Sequence, residues 1–295
     1  MSHEEIGRGS QSVVYKITIG KTEMAVKELK QCRDLLDLEK EFDKSELFTP
    51  LYFRHPNLVE MYGFGVGLTR HDNSLYIVMG LKDFSLDAFL EEAVAERVSI
   101  SPKVMVRMGR QMLSALMYLH SNDVVHGHVM PENVLLERIS STRYKIVMSN
   151  FGISPKVEAQ QRSRTTGDAG LRQFFPYWSP EAFSGLDESG ENFGKKDVYA
   201  FGVTLWELVA TMWTLQPNRY SIQSKNFVQA MNLAKIMRPP LALLPDCCHD
   251  FFSRTWEVEP SSRYTAAQAY DAITVIRELA KMTPPPPSGS CCSCS

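Results

Sequence analysis

The 295-residue chain has no surplus of either charge: 32 Lys and Arg face 34 Asp and Glu, a formal net of −2. It therefore lacks a global basic field, which argues against nucleic-acid binding driven by bulk charge. No apolar run reaches the roughly 18 residues of a transmembrane helix, so none is expected. The start, Met1-Ser2-His3-Glu4-Glu5, is acidic and polar where a secretory leader needs a basic and then an apolar stretch, so no leader is expected. Cysteine is scarce. Of six, Cys291, Cys292 and Cys294 crowd the end, and Cys32, Cys247 and Cys248 show no disulfide-framework spacing. Reduced thiols and a cytoplasmic location are expected. Neither Gly (17) nor Pro (16) is abundant enough for a collagen-like or low-complexity chain. What is present, 44% apolar against 22% charged residues, suffices for a packed core.

Composition breaks once, at Thr283 and the four prolines Pro284 to Pro287, which stop a helix and favour an extended spacer. The expectation is one folded domain over residues 1–280, ordered from about residue 4, and a disordered Pro/Cys-rich tail over 281–295. Within the domain, Ser12–Ile19 and Thr22–Glu28 are β-branched alternating runs joined at Gly20-Lys21, a hairpin signal. Leu75–Met79 is a further strand candidate. Leu35, Leu38 and Phe42 recur at helical spacing within 33–53. Ser101-Pro102 reads as an N-cap with proline at the first helical position, and Met105, Met108, Met112, Ala115 and Leu119 continue on one face. Val198–Ala210 is apolar nearly all round, as in a helix buried in a large core. Thr265 and Gln268 have capping-box spacing before Ala269, Ile273 and Ile276. The pattern is α+β, a small β-rich lobe and then a larger helical one.

Gly7-Arg8-Gly9 lets a strand turn tightly and approach a phosphate, although glycine pairs also mark ordinary hairpins. Ala25-Val26-Lys27 sets a lysine inside an apolar strand, where it is either a solvated edge residue or a phosphate ligand. With the segments that follow, these motifs resemble the protein kinase superfamily over residues 4–280. Gly7–Val14 looks like the Gly-rich loop, with Ser12 at its third glycine, and Lys27 like the strand lysine that binds phosphates. His55-Pro56-Asn57 resembles the segment after the small-lobe helix, which places Glu46 as the partner of Lys27. Met79 falls at the gatekeeper and 80–82 at the hinge. This implies a bilobal fold with an N-lobe of about 1–79 and a C-lobe of 83–280. Ser179-Pro180-Glu181 resembles the end of the activation segment, Asp197 the brace of the catalytic loop, and Arg263 the partner of Glu181. Val198–Leu208 and the Trp256, Pro260, Arg263 pattern are most similar to the tyrosine-kinase-like branches.

The match departs from the family where the chemistry should be. His126-Gly127-His128 stands for His-Arg-Asp, Met130 for the helper lysine, and Asn150-Phe151-Gly152 for Asp-Phe-Gly. A general base contributes roughly 10²–10⁴ in rate. His128 can accept a proton but becomes a cation where the site needs anionic character. Asn133 and Asn150 offer amide oxygens to Mg²⁺ but no carboxylate, so metal binding should be weak or absent. Gly127 removes the arginine that anchors a phosphorylated activation segment, although Ser163, Thr165 and Thr166 lie in that stretch. Two histidines without a third ligand are a weak metal signal, and His126 is expected in the core.

The resemblance also implies a nucleotide pocket. Val14, Ala25 and Leu135 would sandwich an adenine, with Gly7, Gly9, Lys27, Glu46, Met79, Leu81 and Asn150 around an ATP. Met61, His126 and Phe151 occupy spine-like positions. Pro50, a turn beyond Glu46, is placed to end that helix early. In the tail, Cys292-Ser293-Cys294-Ser295 formally fits a prenylation box without its aliphatic pair, and Cys291, Cys292 and Cys294 are lipidation candidates for peripheral membrane attachment. The sequence thus reads as a pseudokinase that binds ATP and scaffolds a protein partner, an active kinase or a receptor. The alternatives are a slow or unconventional kinase and a module that binds no nucleotide.

Overall fold

The computed structural model describes residues 2–8, 12–29, 51–68, 73–140, 143–151, 175–184, 190–222 and 227–284. The first lobe is a five-stranded sheet of β1 (Ser2–Arg8), β2 (Ser12–Ile19), β3 (Thr22–Leu29), β4 (Met61–Leu68) and β5 (Asn73–Gly80), in the order β1-β2-β3-β5-β4. Every neighbouring pair is antiparallel. β2 and β3 form the expected hairpin, closing at Ile19↔Thr22. Gly20 there has φ +64, a conformation that suits glycine. Register places Val14 opposite Lys27, Lys27 opposite Ile77 and Ala25 opposite Met79. Because side chains alternate faces along a strand, Val14, Ala25, Lys27, Ile77 and Met79 share one face. β1 begins two residues before the expected start, and β5 runs one residue into the expected hinge.

A second sheet, β6 (Phe84–Ser85), β7 (Val134–Ser140) and β8 (Arg143–Met148), opens the helical lobe. Its helices are α1 (Leu86–Ala95), α2 (Pro102–His120), α3 (Pro180–Ser184), α4 (Lys195–Thr214), α5 (Phe227–Ala234), α6 (His249–Thr255) and α7 (Ala266–Ala272). α7 passes into a 3-10 segment, Ile273–Lys281. Met105, Met108, Met112, Ala115 and Leu119 form the buried face of α2, as their spacing requires. Proline does occupy the first turn, but the Ser101 hydroxyl makes no capping bond. The Ser101 carbonyl instead accepts from the N–H groups of Val104 (2.8 Å) and Met105 (3.1 Å). Every residue of α4 from Asp197 to Trp213 is buried, which explains its apolar circumference. Thr265 and Gln268 form a complete capping box on α7. The expected helix within 33–53 falls largely outside the described residues. Among the described residues, no helix is long and apolar enough to cross a membrane.

Among the described residues the lobes meet at several places. Leu81, Lys82 and Asp83 carry the chain across, and the Asp83 N–H donates to Leu136 O (3.1 Å). The segment before β4 lies against the end of β8, with Val59 N donating to Met148 O (2.8 Å) and Met148 N to Asn57 O (2.9 Å). Lys27 makes a further contact, to Asn150. The α+β bilobal architecture implied by the sequence is therefore the one observed.

Candidate functional site

Asp197, in the first turn of α4, organises the loop that precedes β7. A carboxylate is favoured at a helix N-terminus, and this one is 1% exposed. It accepts from the backbone N–H groups of His126 and Gly127, each at 2.8 Å, and bonds His120 Nε2 at 2.8 Å. Burial alone would raise the Asp197 carboxyl, but the bond and charge of His120, with the other donors, outweigh it and hold the group below the ordinary range. Gly127 has φ +76, so a glycine fits this turn where the family carries arginine.

His126 is fully buried, and its Nδ1 accepts from His128 N (3.2 Å). Burial pushes the ring down to about 4, so it is neutral at pH 7. Its ring lies 6.2 Å from that of Phe151, which in turn meets Phe53 edge-on at 6.3 Å. These contacts make His126 a core residue. Among the described residues no cluster of three or more His, Cys, Asp or Glu could hold a metal ion.

A polar chain runs from the sheet into the second lobe. Lys27, 7% exposed, donates from Nζ to Asn150 Oδ1 (3.2 Å). Asn150, with φ +60, donates from Nδ2 to Asn133 Oδ1 (2.5 Å). Asn133 Nδ2 donates to the carbonyl of His128 (2.9 Å), and its own carbonyl accepts from Ser149 N (2.9 Å) and Ser149 Oγ (3.1 Å). Asn tolerates the left-handed backbone at 150 better than most residues. The two amide oxygens that would face a metal each already accept one internal bond. Neither is a carboxylate, and a hard dication prefers charged oxygen ligands. The residues present therefore make a poorer site for Mg²⁺ than a pair containing a carboxylate would.

Ala25 and Met79 are buried, while Val14 and Leu135 are partly exposed. Leu135 sits opposite Val147 across β7 and β8. At the crossing, the backbone N–H groups of Leu81 and Lys82 make no hydrogen bond among the described residues. Gly7 faces Val14 across a bulge in β1, and a Cβ there would lie 3.9 Å from the Val14 side chain. Gly9, Glu46, Pro50, Gly152, Ser163, Thr165, Thr166, Cys291, Cys292 and Cys294 lie outside the described residues.

Glu181 and Arg263 meet as expected, in a bidentate pair of 2.5 and 3.1 Å. Burial would raise Glu181, but the bonds and charge of Arg263 prevail and lower it. Arg263 also donates to the carbonyls of Glu257 and Lys195. The His120 partner of Asp197, 77 residues away in sequence, has no local sequence signal. Sequence reading also missed Glu207, which is fully buried and holds Arg219 (3.0 Å), Tyr177 OH (3.1 Å) and Tyr220 N (3.0 Å). Nothing in an apolar helix pattern marks one embedded carboxylate as the hub of a network.

A family model described as protein tyrosine and serine/threonine kinase matches residues 1–273. A relative named as a serine/threonine-protein kinase/receptor, from Acanthamoeba polyphaga mimivirus, is 28% identical over 210 residues, covering 71% of this chain and 12% of that protein. The serine/threonine-protein kinase Mos of Patiria pectinifera is 25% identical over 274 residues, 91% of this chain and 72% of Mos. The crystal structure of Rad53 with AMP-PNP superposes with a TM-score of 0.63 at 21% identity, covering 92% of this chain and 64% of that one.

Proposed function

Because the chain belongs to the protein tyrosine and serine/threonine kinase family, we propose that it is a pseudokinase that binds ATP without a divalent cation and acts through protein contacts. The observation that carries this is the chain Lys27–Asn150–Asn133–His128 carbonyl, in which amides replace carboxylates and bond each other. In this reading Val14 and Ala25 cover one side of the adenine and Leu135 the other. The N–H groups of Leu81 and Lys82 supply edge donors, and the Lys27 ammonium turns to the phosphates. Gly7 and Gly9 let the covering loop approach them, and Glu46 orients Lys27. No carboxylate stands at 128 to take a proton from an acceptor hydroxyl. Assignment to the tyrosine-kinase-like branch rests on Val198–Leu208 and on Trp256, Pro260 and Arg263. The partner would be a protein, an active kinase or a receptor, and the Cys291, Cys292 and Cys294 segment would add membrane attachment.

One observation favours a slow phosphotransferase as the second reading. The loop that carries His128 is anchored on Asp197 through the N–H groups of His126 and Gly127, with His120 on the same carboxylate. A thermal-shift titration separates the two. ATP should raise the melting temperature equally in EDTA and in Mg²⁺, and Lys27→Met should remove the shift. Asn150→Asp, which restores a carboxylate, should make the shift Mg²⁺-dependent. Stabilisation of the unmodified protein only with Mg²⁺, or labelled-phosphate transfer that Lys27→Met abolishes, would establish the second reading instead.

A further inference from the structure

We propose that a cavity between α2 and the Ile273–Lys281 segment binds a polyphosphorylated anion, supplied either in solution or as a lipid headgroup. The cavity measures about 360 Å³ and is ringed by Lys103, Arg107, Arg110 and Arg277, with no acidic residue among the described residues of its lining. That volume suits a phosphorylated ring of headgroup size. The chain as a whole is slightly acidic, so four cations around one space is a local concentration rather than a consequence of composition.

None of the four makes an ion pair among the described residues, whereas Arg8, Lys82, Arg138, Arg254 and Lys281 each face a carboxylate. Glu278, beside Arg277, is taken by Lys281 at 2.6 Å. The arrangement also breaks the local rules of helix electrostatics. Lys103, Arg107 and Arg110 recur at i, i+4 and i+7, so like charges stack along one face. Lys103 sits in the first turn, where the helix dipole favours an acid, and α2 contains no acidic residue at all. Unfavourable placements that the fold does not compensate point to a ligand that does.

The cavity is also prepared for an anion. Arg110 is fixed by Nε donating to Tyr270 O (3.3 Å) and by its guanidinium lying 4.7 Å above the Tyr270 ring. Among the described residues neither of its terminal nitrogens has a hydrogen-bond partner, which leaves the fork that grips phosphate oxygens. Beneath the cations the lining is neutral and held in place. Gln111 bonds Asn57 (3.1 Å), and Ser114 bonds His55 (3.3 Å). Arg277 belongs to the last helical segment before the proline spacer and Cys291, Cys292 and Cys294, so the cavity adjoins the segment from which a lipidated tail would depart. None of its residues belongs to the Lys27–Asn150–Asn133 chain, so it stands or falls independently of nucleotide binding.

The test uses the full chain with two probes, inositol hexakisphosphate in solution and phosphatidylcholine vesicles with or without phosphatidylinositol bisphosphate. Arg107→Glu alters an exposed side chain of the cavity. Lys235→Glu makes the same charge change at an exposed site outside it. Arg107→Glu should weaken binding about tenfold or more, the scale of a lost charged hydrogen bond, while Lys235→Glu leaves it nearly unchanged. Binding of the soluble probe alone assigns a free polyphosphate. Vesicle binding that requires the phosphoinositide assigns a headgroup. No binding of either probe, or equal weakening by the two variants, overturns the proposal.

Discussion

Two buried residues set opposing responses to acid. His126, held down to about 4 by burial, contributes stability that is complete above its ordinary value of 6.5 and is lost as pH falls through 4. Glu207 behaves in the opposite sense. Burial raises it to about 7, so its contribution is complete below 4.5 and is lost as pH rises through 7. Each amounts to roughly 3 kcal/mol at most, and between about 4.5 and 6.5 they offset one another. His126→Phe should therefore be more resistant to acid than the unmodified protein, with a stability difference that changes progressively from pH 7 to pH 4. Urea midpoints across that range provide the check, and parallel pH curves for the two proteins would refute the assignment. His126 was placed in the core from its sequence context. Glu207 was not singled out, because a carboxylate inside an apolar helix gives no local sign of the partners it will find.

At the scale of elements, what lies within a turn or two of helix was legible. The Gly20-Lys21 hairpin and the Thr265–Gln268 capping box depend on neighbours three residues apart or fewer, and both appear as read. The insertion of β5 between β3 and β4 was not legible, since strand order depends on pairings that no local pattern encodes. The packing of α4 on α6 is a further example. Gly202 faces Thr255, and a Cβ on Gly202 would lie 2.7 Å from the Thr255 Cβ. Thr255 is fully buried and its hydroxyl donates to Phe252 O (2.7 Å), so it has little room to retreat. Gly202→Ala gains about 0.5–1 kcal/mol of helix propensity, but overpacking costs about 1–3 kcal/mol. A net loss should appear as a lower urea midpoint with unchanged slope, whereas a midpoint at or above the original would show that the two helices can part.

Over the whole molecule, the candidate site was legible only through the order of its motifs. Lys27 and Asn150 are 123 residues apart and meet at 3.2 Å, a juxtaposition that periodicity cannot anticipate. The cation cavity went unnoticed for a related reason. Three of its charges share the spacing of α2, but Arg277 arrives from the far end of the domain. The same long-range logic governs how the lobes hold together. Besides the covalent crossing, Lys27 and the segment 53–59 tie the sheet to the helical lobe. Asn57 does most through its side chain, donating to Ile146 O (2.7 Å) and Gln111 Oε1 (3.1 Å) while 8% exposed. Gln111 in turn accepts from Ile146 N (2.9 Å) and donates to Tyr144 O (3.3 Å), so one amide couples the first lobe to β8 and α2 together. Asn57→Ala removes both donated bonds from a buried junction, at a cost of roughly 1–3 kcal/mol. Because the lost bonds lie at the boundary, the loss should be felt unevenly. Amide exchange in β4 and β5 should accelerate, while α4, buried on all sides, keeps its protection. An equal loss in both would mean that the lobes unfold as one unit, and that Asn57 stabilises the whole rather than joining two parts.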